Sequence, residues 1–165
     1  MLDNKTLLKI VNISLDILYD QDYSLIENNV QEEAIVSAFT RYFDKTITGM
    51  NLLQENLSID NEYNRDILSE SKLKEIYYGN EKHSAKPDFI LHERGTNDNN
   101  ILMIEFKKWS NVDSKGKKHD ELKLKAFTSK SSAYKYQLGL FIEFRHKREN
   151  VVIKKYVGGN LLKNT

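Results

Sequence analysis

Apolar residues recur at helical spacing near the start of the chain. Leu7, Leu8, Val11, Leu15 and Leu18 mark one face of an amphipathic helix over residues 6–19. Ser24, with Glu27 three residues on, matches a capping box. A second helix is expected from Leu25 or Asn29 to Asp44, with Ile35, Val36, Phe39, Tyr42 and Phe43 on its buried stripe. The pattern then changes period. Apolar runs around 56–63, 89–91, 101–104, 138–142 and 151–156 have the length and composition of strands. Residues 70–78 read as one or two helical turns and 82–86 as a loop. Residues 109–118 read as a polar, basic, mobile stretch, and Asp120 as the cap of a helix over 120–128 with Leu122 and Ala126 inward. The predicted order is α-β-β-β-α-β with an extra N-terminal helix and a C-terminal strand. That is one α/β domain over residues 1–165, with a central mixed β-sheet flanked by helices.

Composition narrows the function classes. Lys plus Arg number 25 against 24 Asp plus Glu, so any basic surface for nucleic acid must be local. Cysteine is absent, which removes disulfide frameworks and thiolate metal sites. The four histidines, His83, His92, His119 and His146, lack zinc-type spacing. The chain shows neither a signal-like apolar stretch near its start nor a run of membrane-spanning length. A cytoplasmic protein without membrane contact is the expectation.

The chemistry concentrates between Pro87 and Lys107. Phe89-Ile90-Leu91 leads into Arg94-Gly95-Thr96-Asn97-Asp98-Asn99-Asn100, and Ile101-Leu102-Met103-Ile104 follows, a strand-loop-strand signature. A loop centred between Thr96 and Asn97 places Asp88 opposite Glu105, and facing side chains of such a pair lie about 5 Å apart. Alternation sends Met103, Glu105 and Lys107 to one face and Ile104 and Phe106 to the other. Two carboxylates this close repel unless a proton or a cation sits between them. Oxygen ligands suit Mg²⁺ or Mn²⁺, and an ammonium at Lys107 could orient water or stabilise phosphate charge. The competing reading is a surface salt bridge between Glu105 and Lys107. Glu32, three, four and seven residues before Ile35, Val36 and Phe39, is a third candidate acid; its plainer role is a first-turn glutamate favoured by the helix dipole.

Taken together, Pro87-Asp88, Glu105-Phe106-Lys107 and a preceding helix bearing an acid resemble the PD-(D/E)XK nuclease superfamily, the restriction endonuclease-like fold, over roughly residues 28–144. Glu62-Tyr63-Asn64-Arg65, Pro87 to His92, Arg94-Gly95-Thr96, Ile104 to Lys108, the Lys123 to Thr128 helix and the Tyr136 to Phe144 strand are similar to a group of small uncharacterised bacterial proteins assigned to that superfamily. The resemblance implies a metal-dependent nuclease hydrolysing phosphodiester bonds, with DNA the expected substrate and Mg²⁺ or Mn²⁺ the cofactor. It casts Asp88 and Glu105 as metal ligands, the Phe106 carbonyl as a further ligand, Glu32 as an acid completing the shell through water, and Lys107 as the residue that positions or activates water. As lesser nucleic-acid candidates it suggests Gln137 and Lys123. Gln137 could touch a phosphate or merely hydrogen-bond the sheet, and Lys123 could point toward the metal pocket but reads first as a solvated helix lysine. Lys86, Lys108 and Trp109 could also meet the backbone, the tryptophan as a stacking surface. With no separate recognition domain, specificity would be low or supplied by a second copy or a partner protein. The alternative is a catalytically silent nuclease-fold binding module, or a subunit of a larger defence or toxin system.

Overall fold

The structure, a computed structural model, describes residues 2–66, 73–78, 80–111 and 113–163. Helix α1 (Asn4–Gln21) starts at Asp3, whose carboxylate accepts a hydrogen bond from the Thr6 N–H, and it buries Leu7, Ile10, Val11, Leu15 and Leu18. The region of the expected second helix holds two helices, α2 (Tyr23–Glu27) and α3 (Glu32–Gly49), so the later of the two expected starts, Asn29, lies nearer to the beginning of α3. Asn29 separates them with a φ of 50°, a left-handed conformation that a right-handed helix cannot continue. Ser24 therefore lies inside α2 rather than capping a longer helix.

Among the described residues eight strands follow: β1 (Leu57–Asn61), β2 (Glu75–Tyr78), β3 (Glu81–Ser84), β4 (Phe89–Glu93), β5 (Asn100–Lys107), β6 (Leu138–Glu143), β7 (Val152–Val157) and β8 (Asn160–Leu162). Six form one sheet in the order β1-β4-β5-β6-β7-β8, while β2 and β3 pair as a separate hairpin. Residues 75–78 and 81–84 are thus strands, not helical turns and a loop; of the 70–78 segment, 70–72 lie outside the described residues. Ile76-Tyr77-Tyr78 followed by Gly79-Asn80 is the composition of a hairpin. The β5–β6 pairing is parallel and the rest are antiparallel, so the sheet is mixed. Helix α4 (Ser114–Thr128) forms the crossover between the parallel strands. Its cap is Asp113, which accepts from the Lys115 N–H, so Asp120 lies in mid-helix and residues from Ser114 onward are helical.

Strand alternation divides the core between the two sheet faces. Phe89, Leu91, Leu102, Ile104, Phe106, Leu138, Leu140 and Ile142 pack with α1 and α3, with Phe39 edge-on to Phe89 and Phe106. Ile90, Met103 and Phe141 pack on the other face with Leu124 and Phe127 of α4. Helices thus flank a central mixed sheet on both sides. Among the described residues no helix is long and apolar enough to cross a membrane.

Candidate active site

Strand β4 pairs with β5 in the register Phe89↔Ile104, Ile90↔Met103 and Leu91↔Leu102, with a shift between Leu91 and His92. This register carries Asp88, one residue ahead of β4, to the level of Glu105. There Asp88 accepts a 2.7 Å hydrogen bond through Oδ2 from the Phe106 N–H. The N–H and C=O of one strand residue point the same way. The Phe106 carbonyl therefore faces the edge where β4 has not yet begun, beside Asp88.

Glu105 projects toward α4 and is fully buried. Its Oε2 meets the Lys123 ammonium at 2.6 Å, and its Oε1 is buried with no hydrogen-bond partner. Lys123 also contacts Asp120 Oδ1 at 3.0 Å and the Lys86 carbonyl at 3.4 Å. Asp120 Oδ2 lies 2.8 Å from the Lys107 ammonium, which is 3.5 Å from Glu32 Oε1. The other Glu32 oxygen accepts a 2.8 Å hydrogen bond from the Lys108 N–H. One continuous polar cluster therefore ties the start of α3, the end of β5 and the middle of α4.

The electrostatics follow from burial and crowding. Burial pushes the Asp88 carboxyl up to about 6, against partial relief from Lys123 and from the Phe106 N–H. Burial also raises Glu105 well above the ordinary carboxylate range, and repulsion from Asp88 adds to it. Burial alone would lower Lys123, but attraction to Glu105, Asp120 and Asp88 outweighs it, so its proton is held more tightly than usual. Lys107 is raised for a similar reason, with Asp120 as the main partner opposing burial. Four carboxylates, Glu32, Asp88, Glu105 and Asp120, face two ammonium groups, Lys107 and Lys123. Fully ionised, the cluster is two negative charges in excess.

The remaining expected residues fall differently. Lys123 is buried at the centre of the cluster rather than solvated. Lys86 pairs with Glu62 at 2.9 Å, and its carbonyl, not its ammonium, reaches the cluster. The Lys108 ammonium is spent on the Val30 and Asn29 carbonyls of the α2–α3 turn, at 2.8 and 3.4 Å. Trp109 packs on His146, ring centroids 4.1 Å apart, which joins the 107–118 and 145–148 basic segments at this end of the sheet. Gln137 does not reach the site. Its amide donates to the Leu2 carbonyl and to Asn4, at the opposite end of β6. Asp120, expected as a helix cap, is instead part of the cluster; Asp120, Lys123, Leu124 and Phe127 stand at the i, i+3, i+4, i+7 spacing of one helix face.

A cleft of about 280 Å³ opens beside the cluster, lined by Glu32, Glu33, Val36, Ser37, Asn61, Glu62 and Asp88. Among the described residues no group of three or more His, Cys, Asp or Glu side chains is disposed to hold a metal ion. Mg²⁺, however, is commonly held by one or two carboxylates with water completing the shell. Asp88 and Glu105 offer that donor set, with an unpartnered buried oxygen on Glu105. The residues present therefore fit a hard divalent cation.

No protein-family model matches the chain, and no curated protein matches it. Among solved structures the chain is similar to the crystal structure of SSO0001, at 14% identity and a TM-score of 0.37. The similarity covers 88% of this chain and 64% of that one.

Proposed function

We propose that the chain is a divalent-cation-dependent phosphodiesterase of the PD-(D/E)XK type, with a restriction endonuclease-like core, acting on nucleic acid and preferentially DNA. One observation carries this reading. Glu105 is a wholly buried carboxylate with a free oxygen, beside a second acid, Asp88, that burial also destabilises in its charged form. Such an arrangement is costly unless a cation occupies it. Fully ionised, the cluster has two excess negative charges, which one Mg²⁺ or Mn²⁺ would balance.

Asp88 and Glu105 would hold the cation, with the Phe106 carbonyl on the same edge and Glu32 joined through water. When bound, the cation supplies Lewis acidity toward a phosphodiester oxygen and eases deprotonation of water. The protein's own part is positioning. Asp120 and Glu32 hold the Lys107 ammonium from two sides, so its third donor can turn toward charge building on the phosphate. The basic segments joined by Trp109 and His146 lie at the same end of the sheet, where a phosphate backbone would run. The protein would act in the cytoplasm, with a second copy or a partner protein supplying specificity.

The test is cleavage of supercoiled plasmid and of single-stranded DNA with Mg²⁺ or Mn²⁺. Glu105→Gln and Lys107→Ala should each reduce cleavage by about a hundredfold or more. Equal cutting by wild type and both variants would assign the activity to a contaminant. A second reading rests on Lys123, whose ammonium already sits on Glu105 at 2.6 Å. Under it, the fold is a catalytically silent module that binds nucleic acid, or a subunit of a larger defence or toxin system. The wild type would then bind without cutting, and Glu105→Gln would leave binding unchanged.

A further inference from the structure

The Lys123 ammonium stands where a free cation could otherwise sit. Its three oxygen neighbours come from three parts of the chain: Glu105 Oε2 on β5, Asp120 Oδ1 one turn earlier on α4, and the Lys86 carbonyl ahead of β4. Three oxygens match the three donors of an ammonium group. They are also the ligand types, carboxylate and carbonyl, that a hard cation takes. The Lys123 side chain is 8% exposed, so water contributes little to its charge balance. Oε1 of Glu105 remains without a hydrogen-bond partner.

We propose that Lys123 is a tethered competitor for the cation site, one that must loosen its hold on Glu105 before a divalent ion can load. The inference rests on the reading above that Asp88 and Glu105 bind such an ion. Two like charges within a few ångströms repel strongly in surroundings of low effective dielectric. A tethered ammonium also acts at a high local concentration that no free monovalent ion matches. Asp120 makes the exchange feasible, because Lys123 keeps one carboxylate partner after it releases the other. Lys123 therefore sets the divalent-ion concentration at which the site fills, and it keeps Glu105 compensated below that concentration.

The experiment is calorimetric titration of Mn²⁺ into the wild type, Lys123→Met and Lys123→Arg. The methionine variant should bind at least about tenfold more tightly than the wild type, while the arginine variant stays near the wild type. If the wild type binds and Lys123→Met binds equally or more weakly, this inference falls and the metal reading stands. If none of the three binds, both fall. Binding by Lys123→Met alone supports Lys123 as the resident cation and favours the silent module. Should Lys123→Met fail to fold, acetic anhydride labelling of the wild type, mapped by mass spectrometry, decides the matter. Saturating Mn²⁺ should raise labelling of Lys123 several-fold relative to the exposed Lys45; an unchanged ratio overturns the proposal.

Discussion

Replacing Asp88 with asparagine should make the cation-free protein more stable and its cation-bound form less so. Asparagine keeps an oxygen that can accept from the Phe106 N–H and removes the charge that Glu105 and Asp120 repel. The Asp88 carboxyl rises from 3.8 to about 6 on folding, which corresponds to about 3 kcal/mol between its two protonation states. The sign follows from the direction of the rise. With a raised folded pKa, the contribution of Asp88 to stability is complete below about 4 and disappears as pH climbs through about 6. The variant should therefore match the wild type at the acid end and exceed it above neutrality. In a chain of this size 1 kcal/mol moves Tm by roughly 2–4 °C, so the ceiling is about 6–12 °C, and relaxation around the site should leave about half of that. Thermal unfolding in chelator across that pH range measures the difference. Millimolar Mn²⁺ should then raise the wild-type Tm and leave Asp88→Asn unmoved, reversing the order. A variant less stable than wild type in chelator at high pH, or a gap independent of pH, would refute the claim that Asp88 is held charged at a cost.

Two further outcomes are expected. Asp120→Asn removes the carboxylate shared by Lys107 and Lys123 and should destabilise the fold by about 3 kcal/mol, seen as a lower midpoint in urea; a shift within about 0.5 kcal/mol would show that the two lysines need no common partner. Phe39→Ala should cost about 3–5 kcal/mol in the same assay, because its ring meets Phe89 and Phe106, the residues that follow Asp88 and Glu105. A loss below about 1 kcal/mol would mean that the site's strands are not supported from the α3 side.

The parts legible in the sequence were those governed by strand alternation. Glu105 and Lys107 on one face, with Ile104 and Phe106 on the other, follow from the two-residue period, and the glycine and asparagine cluster at 94–100 marks the loop. The register of Asp88 followed from that loop centre, because the shift at Leu91/His92 lies on the loop side of the Phe89↔Ile104 pair. Asp120, expected as a helix cap, and Lys123, read first as solvated, depart from expectation for a different reason. In the run Lys-Gly-Lys-Lys-His-Asp-Glu-Leu-Lys-Leu-Lys charges are so dense that a buried acid and lysine look like a solvated pair. Their burial comes from Glu105 across the gap, a long-range partner that no local pattern encodes. Asn29, one of the two expected helix starts, instead separates α2 from α3 in a left-handed conformation, which presents the carbonyls that receive Lys108. The β2–β3 hairpin was read as helical turns and a loop because four-residue strands carry too little periodicity to outweigh local propensity.

The parallel pairing of β5 with β6 governs when the acid cluster can exist at all. Parallel neighbours require an intervening crossover, and here residues 108–137 supply it. Until that whole excursion has emerged from the ribosome and docked, Asp88, Glu105 and Lys107 are joined by a hairpin with no lysine to compensate Glu105 and no lid across its carboxyl. A chain interrupted before β6 would carry every residue of the motif without the parallel pairing that sets the crossover helix against them. Assembly of the acid cluster is thereby deferred until the crossover has been made and docked.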